Sequence, residues 1–142
     1  KENIMKVIRS ANRKTKVAPF ANFTGTVLSD EVVVGTAPSR MRASVVTFTP
    51  GGRTAWHSHP VGQTLFCLSG AGRVQRAGEQ VQEIRAGDTV IIPPDVRHWH
   101  GSAPGKLFSH LAMSELNDKG EGTAWFEHVS DADYNAAPAP VT

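Results

Sequence analysis

The chain holds a single cysteine, Cys67, among 142 residues, so an intrachain disulfide and any disulfide-built scaffold are excluded. Flanked by Leu65, Phe66 and Leu68, that thiol reads as a small apolar residue of a strand. No apolar run approaches the roughly 20 residues that carry a helix across a bilayer, so no membrane partner is expected. No secretory leader is visible, and the expected location is the cytoplasm; a chain opening on Lys1 is also compatible with processing, hence with a periplasmic or secreted protein. Net charge is small, at +2, but unevenly placed. Residues 1–16 hold Lys1, Lys6, Arg9, Arg13, Lys14 and Lys16 against Glu2, a local +5 that leaves −3 for the remainder. A mildly acidic body without a patterned basic patch argues against a nucleic-acid partner. The arm reads instead as solvated, or as pairing with the edge strand of a partner subunit. Helical periodicity is missing too, since no 3.6-residue repeat lasts three turns before residue 115.

What remains is β signal. Strand-like segments recur roughly every eight to twelve residues between glycine-rich turns: 20–28, 32–34, 41–49, 54–59, 63–68, 73–76, 81–85, 89–92, 97–101 and 107–113. Residues 3–9 read as a short edge strand, Ser29-Asp30-Glu31 and Ser69-Gly70-Ala71-Gly72 as turns, and 123–128 as a late strand. Ser130 is placed to cap a turn of helix through Tyr134, with Asp131 and Asp133 in its first turn. The expectation is an all-β, single-domain barrel or sandwich: arm 1–19, barrel 20–134, and a flexible Ala/Pro tail at 135–142.

Six histidines stand at 57, 59, 98, 100, 110 and 128. His57 and His59 flank one residue, a spacing that in a strand sends both imidazoles to one face. Pro60-Val61-Gly62 can turn the chain so that Gln63 returns beside them, and His98-Trp99-His100 follows Pro93-Pro94-Asp95. A fold that brings His98 to His57 and His59 creates a three-imidazole site for a first-row divalent metal. Gln63 is then either a neutral oxygen ligand or a group just behind the ligands. With four neutral donors the ion keeps its full charge, acts as a stronger Lewis acid and resists oxidation. His128 and Arg53 read as surface groups, with carboxylate binding the alternative for Arg53.

These residues resemble the two motifs of the cupin superfamily, a jelly-roll β-barrel. The first motif runs from Gly51 through His57 and His59 to Gly70, with Gln63 where a glutamate is usual. The second comprises Gly87, Pro93 and His98, with Asp95 in place of a glycine and Ser102 in place of an asparagine. More narrowly, TGTVLSD (24–30), ASVVTFTPGGRTAWHSHPVGQTL (43–65), GDTVIIPPDVRHWHGSAP (87–104), SHLAM (109–113) and WFEHVSDADY (125–134) resemble small bacterial manganese-dependent cupin hydroxynitrile lyases. The resemblance implies metal ligands His57, His59, Gln63 and His98, with Mn2+ foremost among ions that include Fe2+, Zn2+, Ni2+ and Cu2+. It puts the active-site histidine at His110 and pocket positions at Ser44, Val46, Thr54, His100 and Ser114, and it implies a homodimer of paired sheets, with a higher oligomer the alternative. The expected enzyme is a metal-dependent lyase on small 2-hydroxynitriles or aldehydes, with His110 first and His100 second as base. Thr54 is expected to orient the substrate, and Trp56, Trp99 and Val46 are candidates for an apolar wall, the alternatives being that strand alternation turns Trp56 to the other face and that Trp99 and Trp125 pack the sheet. A metal-dependent dioxygenase and a non-catalytic small-molecule-binding barrel are the alternatives.

Overall fold

The structure, a computed structural model, describes residues 3–142; Lys1 and Glu2, the start of the basic arm, lie outside the described residues. Among the described residues twelve strands follow in chain order. They are β1 Lys16–Val17, β2 Phe23–Thr24, β3 Val27–Val34, β4 Met41–Phe48, β5 Arg53–Thr54, β6 His57–Ser58, β7 Gln63–Arg76, β8 Gln82–Arg85, β9 Thr89–Ile92, β10 His98–Ser102, β11 Phe108–Glu115 and β12 Ala124–Trp125. One helical turn, α1 Asp131–Tyr134, is capped by Ser130, whose hydroxyl accepts the Asp133 N–H. The strands are antiparallel in the order β1-β3-β4-β11-β7-β10-β5-β2, with β8 and β9 on β7 and β12 on β6. The architecture is all-β, a curled jelly-roll barrel.

Strand β7 holds the two sheets together. Its first half pairs with β11 and β9, its second with β10 and β8. The chain passes between them at Gly70, where φ is +79° and a Cβ would stand 1.9 Å from the Leu107 carbonyl oxygen. Only glycine combines that torsion with that approach. The turn expected at 69–72 is therefore a bend inside one long strand. At Gly72 a Cβ would fall 2.6 Å from the Phe108 ring, so the absence of a side chain there makes room for the core.

Alternation along β4 and β11 sends Phe48 and Phe108 inward, where they stack at 6.1 Å among Val27, Cys67, Val74 and Ile84. Each fully buried ring contributes about 2–3 kcal/mol over an exposed one. A second cluster, Trp56, Val81, Trp99, Val129 and Tyr134, lies where α1 closes over the other sheet.

Several expectations change. Residues 3–9 form no strand; the barrel begins earlier than residue 20, at β1, because Ala18 packs into the core and donates its N–H to Val27. Ser29-Asp30-Glu31 belongs to β3, where it pairs with β4 up to an irregularity in register between Glu31 and Val33. The 135–142 tail is tied down: Arg73 donates to the Ala136 carbonyl, Gln80 to that of Ala137, and Ala139 donates to Val81. Arg53 is no surface group, being buried, with Nη2 donating to the Val129 carbonyl and Asp131 at 2.7 and 2.8 Å and the guanidinium over Tyr134.

Candidate metal centre

Strand pairing assembles the histidines. His98 of β10 lies opposite His57 of β6, with ring centroids 4.2 Å apart. The His59 ring stands 5.0 Å from His57 and 5.6 Å from His98. Each of the three has its Nδ1 against a backbone carbonyl: His57 on Ala55 at 2.8 Å, His59 on Gly122 at 2.8 Å, His98 on Val96 at 2.9 Å. A carbonyl can only accept, so the proton sits on Nδ1 and the Nε2 lone pair is left free. Nε2 of His59, Nε2 of His98 and Oε1 of Gln63 are all buried without a hydrogen-bond partner. An unpaired buried polar atom costs roughly 1–3 kcal/mol, so several at one place mark a site shaped for a further group.

His57, His98 and His100 bring ring nitrogens within 4.8 Å of one another. His100 differs from the others in its second nitrogen, because Nδ1 faces His110 Nε2 at 2.9 Å instead of a carbonyl. Metal-binding histidines characteristically hand the second N–H to a fixed acceptor, the pattern of His57, His59 and His98. The donor chemistry therefore fits a divalent ion on those three imidazoles with the Gln63 oxygen, and leaves His100 beside it.

All five imidazoles are held neutral. Burial lowers His57 and His100 far below the ordinary 6.5, with His98 the next cause for His57 and His110 for His100. Burial brings His98 and His110 down to about 4, and it lowers His59 against the opposing effect of the Gly122 carbonyl. Neutral imidazoles keep the lone pairs that ligation or proton uptake needs.

A cavity of about 210 Å³ opens beside this centre, lined by His57, His59, Gln63 and His100 together with Ser44, Val46, Thr54 and Ser114. Thr54 Oγ1 accepts the His100 backbone N–H at 3.2 Å, which leaves its own proton for a ligand. His110 does not line the cavity. It sits behind His100, edge-on to Phe48 and Phe108, so His100 takes precedence over it as the group facing a substrate. Trp56 and Trp99 are likewise removed from the wall. Each lies next in sequence to an inward histidine, so strand parity turns it to the opposite face, into the cluster with Tyr134. Trp99 Nε1 there donates to Gln75 Oε1 at 2.7 Å.

Sequence reading missed other parts of the wall: Phe23, Ser29, Arg42, Phe48, Ala112, Thr123 and Trp125. Trp125 pairs with His57 across β12 and β6, its ring 4.9 Å away. The loop carbonyl that fixes His59, Gly122, has no local signature and is found only through the fold. The two motif departures are accommodated. Asp95 adopts φ +62°, which aspartate tolerates, and donates its N–H to the His59 carbonyl at 2.9 Å. Ser102 Oγ lies 3.0 and 3.2 Å from the Thr49 and Gly52 carbonyls. His128 is at the surface, 3.3 Å from Thr24 Oγ1. No helix among the described residues is long and apolar enough to cross a membrane.

Comparison with known proteins agrees with this geometry. Residues 44–110 match the family described as Cupin domain. The chain is 43% identical over 130 residues to an (R)-mandelonitrile lyase of Granulicella tundricola, covering 92% of this chain and 98% of the relative. A cupin-like protein of Thermotoga maritima superposes with a TM-score of 0.78 at 34% identity, over 83% of this chain and 89% of that one. The polyketide cyclase RemF of Streptomyces resistomycificus shares the fold, at a TM-score of 0.70 and 16% identity over 93% of this chain and 90% of that one. Motifs, barrel topology and near-full-length similarity lead to one conclusion: the chain belongs to the cupin family.

Proposed function

We propose that the chain is an enzyme, a metal-dependent lyase that splits small 2-hydroxynitriles into an aldehyde and hydrogen cyanide and runs the reverse addition. One observation carries the reading: buried, unpartnered ligand atoms of His59 and Gln63 belong to the wall of a cavity that a neutral His100 also lines, with the equally unpartnered His98 packed against His57 and His59. The mandelonitrile lyase activity named for the 43% identical relative supports the reaction class. His57, His59, His98 and Gln63 would hold the ion, proposed as Mn2+. When bound, such an ion supplies Lewis acidity, lowering a hydroxyl pKa and stabilising negative charge on oxygen.

The chain's own groups do the rest. The Thr54 hydroxyl orients the substrate, while Val46, Phe48 and Trp125 keep water from its organic group. His100 Nε2 takes the hydroxyl proton as the oxygen electrons form the carbonyl and the bond to the nitrile carbon breaks. Cyanide leaves with that bonding pair and recovers the proton from His100. His110 accepts the His100 Nδ1–H, which holds the ring and keeps its Nε2 lone pair turned to the substrate. One hydroxynitrile gives one aldehyde and one hydrogen cyanide, with no change of oxidation state. The proposed assembly is a homodimer, supported by the exposed apolar Phe66, Leu68 and Ile91 of β7 and β9.

Mandelonitrile cleavage by Mn2+-loaded protein, followed as benzaldehyde absorbance, tests the reading. Release above the uncatalysed rate that disappears with a chelator and in His100→Ala is expected. Equal release with and without protein would end it.

A further inference from the structure

Arg42 has no part in a neutral hydroxynitrile reaction, yet it stands in the cavity wall. Strand parity puts it there. Ser44, Val46 and Phe48 of β4 all line the cavity, and Arg42 continues the same face one step further toward the mouth. The register is more specific. Ser114 of β11 lies opposite Arg42 on one side and opposite Gln63 on the other. Arg42, Ser114 and Gln63 thus form one row across three neighbouring strands, and all three line the cavity. Two strand spacings separate the ends of that row, about 10 Å between Cα atoms. Arg42 and Gln63 thus line the same cavity from the two ends of that row.

The surroundings leave that cation available. Ser29, Ser44, Ser114 and Thr123 supply hydroxyls near it, and among the described residues no aspartate or glutamate lines the cavity. Glu31 lines an adjoining hollow that Arg42 and Ser114 also border, but Arg42 has no ion-pair partner among the described residues. The metal-side donors are neutral, so no group in the wall repels an anion.

We infer that the cavity is built for a ligand bearing a carboxylate, which seats on Arg42 and Ser114 at the mouth while its hydroxyl or carbonyl oxygen meets the metal side. The ligand class is an aldehyde or hydroxy compound whose carboxylate sits about one aromatic ring away. It rests on the reading of the site given above and narrows its substrate.

Calorimetric titration of the Mn2+-loaded protein tests this without turnover. The probes are 4-(hydroxymethyl)benzoate and its near-isosteric neutral partner, 4-(hydroxymethyl)benzamide. Because Arg42 is partly open to solvent, the expected preference for the carboxylate is roughly five- to tenfold at low salt, shrinking as salt screens the pair. Arg42→Gln should abolish the preference, and Arg42→Lys should restore part of it. Equal binding of the two probes by the native protein, or a preference that survives in Arg42→Gln, would overturn the inference; the latter result would mean that the carboxylate binds the ion directly. Failure of the lyase reading shows separately, in the mandelonitrile assay of the native protein.

Discussion

Acidifying the metal-free protein should unfold it far sooner than its carboxylates alone would dictate. His57, His59, His98, His100 and His110 are each no more than 4% exposed, and burial is the leading cause that lowers every one of them. In the unfolded chain an imidazole titrates near 6.5, whereas folded His98 and His110 titrate near 4. Between those values the unfolded state binds protons that the folded state refuses, so stability falls as pH drops. Each such group contributes about 1.4 kcal/mol per pH unit. From pH 6.5 to 4.5, His98 and His110 together remove about 4 kcal/mol, most of the stability of a marginal domain. The other three shift in the same direction and add to the loss. Urea titrations followed by the fluorescence of Trp56 and Trp99, with chelator present, should show the midpoint falling steeply below pH 6.5. His110→Phe, which keeps the ring volume within the phenylalanine cluster, should flatten the slope by about one proton. A midpoint unchanged between pH 7 and 4.5 would refute the assignment of these imidazoles as buried and neutral.

Other consequences are open to direct measurement. Saturating Mn2+ at a hundred times its dissociation constant should raise stability by about 2.7 kcal/mol, seen as a higher Tm that chelator reverses. Gly70→Ala should cost more than about 3 kcal/mol or prevent folding, since backbone blocks the added methyl and φ is positive; near-native Tm would contradict it. Trp125→Ala should raise KM for mandelonitrile by roughly tenfold, whereas Trp56→Phe, on the opposite face, should leave kcat/KM within about twofold. His110→Ala should lower kcat by roughly ten- to a hundredfold with KM little changed, because it acts through His100 and not on the substrate.

The sheet and most strand limits were legible because hydrophobic alternation and glycine turns are local signals. Gly70 reads as a turn for a good local reason: serine and glycines ordinarily break a strand, and only the pairing of β7 with both β11 and β10 keeps this one continuous. The His57–His59 spacing and the placing of Gln63 could be read from parity and one turn. The order of His110 and His100 could not, because it depends on which ring lies in front across two strands. Trp56 and Trp99 follow parity against their histidine neighbours, so alternation, the alternative open for Trp56, decides their place over apolar character. Gly122 and Trp125 reach the site from more than sixty residues beyond His57, a distance at which no sequence window operates.

The alternation His98-Trp99-His100, repeated in shorter form by Trp56-His57, makes one strand serve as a partition. Substitutions at one set of positions act on the site, and those at the intervening set act on the packing of the opposite face. Such a barrel can be refitted for new chemistry by changing alternate residues while its mechanical frame stays as it is.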